Sequence, residues 1–404
     1  MERIIMYIDV NNAFLSWSAI DLLNKGFKED IRNTYAVIGG DEAKRKGIVL
    51  AKSNLCKKLG IKTADTLYSA RSKCKALRIY PPNYTFYSKM SNKLFQLLSF
   101  YSPDIEVASI DECYLDYGKV KKLYGDPYCF AVMIQKRINQ ELGFTVNIGI
   151  ANNKLCAKMA SDFSKPNKIH TLYDNEVLEK MYPLPVGNLF GIGKQTTQKL
   201  NELGIKTIKD LAEFNPTILK KYFKNMALVM QDSARGINND PVVSEGYEPK
   251  GISNEITLEK DTNNKEVLLE YILNLCEMVA IRLRKEKKFV STVAIIIKTN
   301  NFKRKMHQKK LVNPTNITRE IYEAAKEVFL EMDLEEKVRL IGVRLDNLVE
   351  SRVIQTSLFK DIEMVEADSK LDQVIDELKE KYGYKIINKA SNINKTISNK
   401  IKNQ

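Results

Sequence analysis

Two adjacent acids, Asp111 and Glu112, interrupt the otherwise apolar stretch VASIDECYLDY at Val107–Tyr117. Carboxylates resist burial because desolvating a charge is costly. In a straight strand, neighbouring side chains point to opposite faces, so the pair can share a ligand only at a bend. The pattern therefore predicts a hairpin with Asp111 and Glu112 at its turn. Two like charges held together raise each other's pKa unless a cation sits between them. A third acid, Asp9, ends the apolar run IIMYIDV. Three carboxylates at strand ends suit two divalent ions about 3.5–4 Å apart, an arrangement for phosphoryl or nucleotidyl transfer. An Asp-Glu dipeptide by itself is equally well read as a solvated turn; Asp9, the net charge and the motifs below favour a site. Asp116, beyond the hairpin, is read as structural.

The elements that must position these acids are legible in outline. The chain has 404 residues, 44% of them hydrophobic, enough for several globular domains. No apolar run approaches the roughly 18 residues that span a bilayer, and MERIIMYIDV lacks the form of a secretory signal. Six cysteines without C-x-x-C spacing and only two histidines argue against zinc and against a disulfide framework. Any metal here takes oxygen ligands, as magnesium does. The net charge of +14 favours a polyanionic partner such as nucleic acid.

Strand, helix and turn signals alternate through residues 1–172, with a lysine-rich insertion at about 21–80. Asn11 and Asn12 are expected to cap the first helix. A helical region fills 173–240, a tether 241–251, and a β-α-β-β-α-β unit 252–350. The tail, 351–404, carries a charged amphipathic helix through Leu371, Ile375 and Leu378.

YIDVNNAF around Asp9, ASIDECYLD, and GIANNKLCAKMASDFSKPN at 149–167 together resemble the Y-family, or translesion, DNA polymerases. The wording GIVLAKSNLCKKLGIKT leans towards the UmuC/ImpB-like branch rather than the DinB-like one. The resemblance implies an α+β, right-hand polymerase. It would have a ferredoxin-like palm, small fingers, a helical thumb with a helix-hairpin-helix, and a β-α-β-β-α-β little finger. It implies that Asp9, Asp111 and Glu112, with the carbonyl of Val10, hold two magnesium ions. Lys154, in N-K-x-x-A-K, would meet the incoming triphosphate, and Phe14 would bar the ribose 2′-hydroxyl. A helix-start lysine and an apolar helix face explain Lys154 and Phe14 equally simply. The sequence also departs from the DinB-like pattern. Asn54 and Lys57 stand where a Tyr and an Arg grip the triphosphate, which leaves Lys57 as the candidate contact.

LFGIGKQTTQKLNELGIKTIKDL at 189–211 reads as helix, tight turn, helix, with Gly191, Gly193 and Lys194 placed for a DNA phosphate. KTNNFKRKMHQKK at 298–310 puts Lys303, Arg304 and Lys305 on a basic strand, either a solvated edge or a DNA platform. QTSLF at 355–359 resembles the peptide by which bacterial polymerases bind the sliding clamp, with Gln355, Leu358 and Phe359 as anchors. GGDEA at 39–43 resembles the signature of diguanylate cyclases but is adequately explained as a turn.

The function expected is template-directed, error-prone DNA synthesis across lesions, in repair and the SOS response. Its partners would be primer-template DNA, deoxynucleoside triphosphates, the sliding clamp, and a recombinase filament or accessory subunits, in the cytoplasm and on the nucleoid, without a membrane. Two alternatives stay open: a catalytically silent DNA-binding accessory of the same fold, and a nucleotidyl cyclase using GGDEA.

Overall fold

The structure is a computed structural model that describes residues 3–41, 47–246, 248–351, 362–383 and 386–387. Its contacts divide the chain into two compact units, one comprising most of residues 1–246 and the other most of 247–404.

The first unit is built on β1 (Ile5–Val10), every residue of which is buried. Alternation along it divides two cores: Ile4, Met6, Ile8 and Val10 face one, Ile5 and Tyr7 the other. Asp9 falls on the Tyr7 face by the same period. Helix α1 (Ala13–Asn24) follows. Then come β2 (Ala36–Gly39), β3 (Val49–Lys52), α2 (Asn54–Lys58), α3 (Leu67–Lys73) and β4 (Arg78–Tyr80). Their strands form a separate sheet in the order β3-β2-β4. Helix α4 (Tyr84–Ser99) starts directly after Pro81-Pro82 because Asn83 accepts a bond from the Phe86 amide. The remaining elements are β5 (Ile105–Val107), β6 (Glu112–Asp116), α5 (Lys121–Tyr124), α6 (Pro127–Leu142), β7 (Val146–Ala151), α7 (Lys154–Ser161) and β8 (Ile169–Leu172). The main sheet runs β5-β6-β1-β7-β8. Helices α4 and α6 fill one face with Leu94, Leu98, Phe130, Ile134 and Ile138. Each such buried side chain contributes about 1.5–3 kcal/mol of transfer free energy.

Helix α7 lies on the other face, in backbone contact with β7. A Cβ at Gly149 would come within 2.0 Å of the Ala157 carbonyl oxygen. Helices α8 (Lys194–Glu202), α9 (Ile208–Glu213), α10 (Pro216–Phe223) and α11 (Met226–Ala234) follow. Their apolar residues join the core beneath Ile5, Tyr7 and α7.

The expected asparagine caps differ. Asn12 is the cap residue of α1, in a left-handed conformation (φ 48°), but makes no side-chain cap bond. Asn11 is buried and spends its amide elsewhere, on Asn147, Thr145 and the Asn167 amide.

The second unit contains β9 (Gly251–Thr262), α12 (Lys265–Lys285), β10 (Phe289–Thr299), β11 (Arg304–Thr315), α13 (Thr318–Leu330) and β12 (Val338–Val349). Its sheet order is β11-β10-β12-β9, all antiparallel. The β-α-β-β-α-β order expected from the sequence is the one observed. Among its described side chains, helix α14 (Ile362–Tyr382) is held by ion pairs, with Ile375 half-buried. Arg284 bonds Asp372 and Asp376, and Lys379 bonds Glu277, while Leu371 and Leu378 are exposed. Among the described residues no helix is long and apolar enough to cross a membrane.

Candidate active site

Register brings two of the three predicted acids together. Asp9 pairs directly with Glu112 across β1 and β6, and opposed residues of an antiparallel pair share a face. Asp111 lies in the turn between the paired strands β5 and β6, one residue before β6 begins. Its carbonyl accepts the Val10 amide at 3.1 Å, which ties that turn to the end of β1. Ser109 Oγ then links the acids, at 2.7 Å from Asp111 Oδ1 and 3.3 Å from Glu112 Oε2. Asp116 sits at the opposite end of β6, across from Ile5, and accepts the Gly118 amide.

The cations at these acids are Lys158 and Lys165. Lys158 Nζ lies 2.8 Å from Glu112 Oε1 and 3.7 Å from Asp9 Oδ2, and 4.4 Å from the centroid of the Tyr7 ring. Lys165 Nζ bonds Asp9 Oδ2 and, at 2.9 Å, Asp162 Oδ1. Burial holds the Asp9 carboxyl above its ordinary range against the opposing pull of Lys165 and Lys158. Burial also raises Asp111, with the Glu112 charge adding to it. Burial pushes Glu112 upward too, but the Lys158 bond and charge outweigh it and leave Glu112 below its ordinary value. Among the described residues, no group of three acids, histidines or cysteines is already drawn into a metal-holding cluster. Lysine ammoniums partner Asp9 and Glu112 instead.

Lys154 is an ion-pair partner of Glu106 in this structure. Its Nζ bonds both oxygens of buried Glu106, at 2.6 and 2.7 Å, rather than Asp9, Asp111 or Glu112. Glu106 also accepts the Val243 amide at 2.9 Å, and Lys154 reaches the Pro241 carbonyl at 3.4 Å. Lys154 thus pins the segment that leaves α11. Topology explains the placement. Strand β7 is antiparallel to β1 and ends with Ala151 opposite Ile5, far from Asp9. Helix α7 starts there and runs back, so Lys158 stands about 6 Å nearer the acids than Lys154, at 1.5 Å per residue. The i,i+4 spacing of Lys154 and Lys158 was the available signal.

Phe14 stacks on Tyr87, with centroids 4.8 Å apart and planes 10° from parallel, and meets Tyr84 edge-on at 6.1 Å. The Tyr87 hydroxyl is held 2.6 Å from Ser18 Oγ. Asn54 and Lys57 are exposed on α2, outside the hydrogen-bonded cluster of acids and lysines.

Gly191 adopts φ +89°, Gly193 is the cap of α8, and Lys194 is its first residue. No side chain caps α8, and Gly193 and Lys194 are exposed at its start; an uncapped helix start beside a lysine is an arrangement that can receive a phosphate. Strand β11 is a sheet edge, exposed along residues 304–310. Lys303 and Arg304 are already paired, with Glu336 at 3.4 Å and Glu255 at 2.6 Å. Gln355, Leu358 and Phe359 lie outside the described residues.

Profiles of the impB/mucB/samB family match residues 8–162, its helix-hairpin-helix motif residues 174–205, and its C-terminal domain residues 249–358. DNA polymerase IV of Clostridium acetobutylicum is 44% identical over 388 residues, 96% of this chain and 97% of that protein. This chain belongs to the impB/mucB/samB family of Y-family DNA polymerases. DNA polymerase IV of Acetivibrio thermocellus is 34% identical over 95% of this chain and 96% of its own. Among solved structures, a Y-family DNA polymerase chimera of Dbh and Dpo4 covers 86% of this chain and all of its own, with a TM-score of 0.74 and 26% identity. A post-insertion binary complex of Dbh DNA polymerase gives a TM-score of 0.60 at 27% identity, covering 86% of this chain and all of its own. The Y-family polymerase is therefore a DNA-directed DNA polymerase, a nucleotidyltransferase of the translesion class. The mixed α/β architecture with its helix-hairpin-helix motif is that of a Y-family polymerase with palm, thumb and little-finger domains.

Proposed function

We propose that this polymerase extends a primer 3′-hydroxyl with deoxynucleoside triphosphates by a two-metal reaction centred on Asp9, Asp111 and Glu112. The observation that carries the proposal is the register pairing of Asp9 with Glu112, linked through Ser109 to Asp111. The donors suit hard divalent ions, being oxygens only and partly buried, and the ions would take the place of the Lys158 and Lys165 contacts to Asp9 and Glu112. Asp9, Asp111, Glu112 and the Val10 carbonyl would hold two magnesium ions. When bound, these ions supply activation of the attacking oxygen and charge stabilisation at the leaving one.

The chain's own groups do the rest. Lys158 and Lys165, beside the acids, stabilise negative charge on the pyrophosphate. The Phe14 ring, backed by Tyr87, excludes a 2′-hydroxyl by clash. Lys57 is retained as a second triphosphate contact from the fingers. The boundaries expected from the sequence are proposed as the domain limits, with fingers at about 21–80, a tether at 241–251 and a tail from 351.

Primer-template DNA is held at Gly191, Gly193 and Lys194 and along Lys303, Arg304 and Lys305. Gln355, Leu358 and Phe359 bind a sliding clamp, and a recombinase filament or accessory subunits serve as further partners in the SOS response. The workplace is the cytoplasm, on the nucleoid. The two alternatives have less support. All three acids are present, against a silent accessory. The family profile over residues 8–162 spans the GGDEA segment, which supports the polymerase reading over the cyclase one. Primer extension with magnesium on undamaged and damaged templates tests the proposal. Extension past a lesion is expected; absence of extension on every template, clamp included, overturns it, and a cyclic dinucleotide from GTP alone would favour the cyclase.

A further inference from the structure

Asn147 lies on β7 directly opposite Asp9, on the side away from Glu112. It is fully buried, and Asn11 beside it nearly so. A strand centre is a poor place for an amide unless every polar atom finds a partner. Asn147 does: its Nδ2 donates to the carbonyls of Ser161 (2.9 Å) and Ser164 (2.6 Å). Its Oδ1 accepts from Asn11 Nδ2 (3.0 Å) and from the Lys168 amide (3.2 Å). Asn11 Oδ1 in turn accepts the Asn167 amide (2.8 Å) and Thr145 Oγ1 (2.9 Å). The partners fix both amide orientations, since two carbonyls can only receive N–H groups and two backbone amides can only meet oxygens.

These bonds grip Ser161, the last residue of α7, and residues 164, 167 and 168 of the loop that follows it, on both sides of Lys165. Lys165 is the residue that the loop delivers to Asp9. We infer that Asn147, seconded by Asn11, is a positioning residue for the reaction: the buried amide pair clamps the end of α7 and the loop after it, residues 161–168, so that the Lys165 ammonium stands at the acids. The inference rests on Lys165 serving the triphosphate, as proposed above. It explains why Asn11 does not cap α1.

The test is a double-mutant cycle of Asn147→Asp and Lys165→Ala. Asn147→Asp keeps size and both acceptor bonds but turns a carboxylate oxygen on the Ser161 and Ser164 carbonyls. The readouts are the Kd of a matched dNTP on a dideoxy-terminated primer-template, the split between KM and kcat in extension, and amide exchange of Asn167 and Lys168. Lys165→Ala is expected to weaken dNTP binding about tenfold or more. Asn147→Asp is expected to weaken it in the same direction, speed exchange of both amides, leave DNA affinity unchanged, and add nothing in the Lys165→Ala background. Additive losses, or unchanged dNTP binding in Asn147→Asp when Lys165→Ala has lost it, overturn the inference. Unchanged binding in Lys165→Ala overturns the reading of Lys165 itself and the inference with it. If Asn147→Asp does not fold, Asn147→Ser, which keeps one donor, is expected to give a smaller, still non-additive loss, with additivity again the contradicting result.

Discussion

At the scale of single residues, the fold treats the three acids unequally. Burial, with the Glu112 charge contributing, raises Asp9 and Asp111. In Glu112 the lysine contact overrides burial and lowers it. A carboxyl whose folded pKa is raised stabilises below its unfolded pKa, and that stability is lost as pH climbs through the folded value. Glu112 has the opposite sign: its contribution is present above its unfolded pKa and lost as pH falls through the lowered one. Above their raised folded values the metal-free protein therefore carries Asp9 and Asp111 charged at a cost. Asp111→Asn is predicted to melt higher than wild type in EDTA, by a few degrees at about 1 kcal/mol, and to lose the further rise that magnesium gives wild type. Thermal melts with EDTA and with magnesium check both. Phe14→Ala should lower discrimination against ribonucleotides at least about tenfold, with Tyr87→Ala a weaker change in the same direction because it removes the stacked support. Incorporation of rCTP against dCTP opposite template G reads this out. The acids themselves were legible in the sequence, because acidic residues ending apolar strands are conspicuous. Lys158 and Lys165 were not, because which lysine of a helix-loop segment reaches Asp9 depends on the direction of β7.

At the scale of elements, period-2 and period-3.6 patterns carried most of the fold. The buried run of β1, the hairpin of β5 and β6, and the order of the second unit all follow from side-chain alternation and turn residues. What the pattern hid was contact chosen by charge. Helix α14 reads from the sequence as a charged amphipathic helix, but its partners are not in the pattern: Asp372 and Asp376 bond Arg284, and Lys379 bonds Glu277. Likewise Lys154, in a motif pointing to phosphate, is held by Glu106 and the segment at 241–243. Both side chains of that pair are nearly inaccessible. Lys154→Ala would remove the ammonium from a buried carboxylate, at a cost of about 3 kcal/mol. The predicted result is lower stability and faster exchange of the Val243 amide with dNTP KM close to wild type. A large rise in KM with Val243 still protected would return Lys154 to the triphosphate. Gly149→Ala should be worse for activity than its size implies, because α7 must lift from β7 and carry Lys158 with it; extension assays on folded protein check this.

At the scale of the whole molecule, a net charge of +14 is put to use only if basic residues meet DNA phosphates. Replacing Lys303, Arg304 and Lys305 with alanine is predicted to weaken DNA binding evenly across sequences and to flatten the salt dependence, by up to about one unit of log-log slope per lost phosphate contact. Arg304 and Lys303 must first leave Glu255 and Glu336, so the loss should be smaller for these two than for Lys305. Affinity titrations at several salt concentrations read the slope. Domain order was legible from the sequence because each unit carries its own hydrophobic pattern; the pairings within the charged surfaces were not, since many lysines and acids offer equivalent partners. The central claim is that Asp9, Asp111 and Glu112 perform nucleotidyl transfer without being needed to hold DNA. The most direct measurement is single-turnover primer extension with magnesium by wild type, Asp111→Ala and Glu112→Ala, beside primer-template affinity. Synthesis should fall by at least about 10³-fold in both variants with DNA affinity nearly intact, whereas synthesis retained by either folded variant would contradict the account.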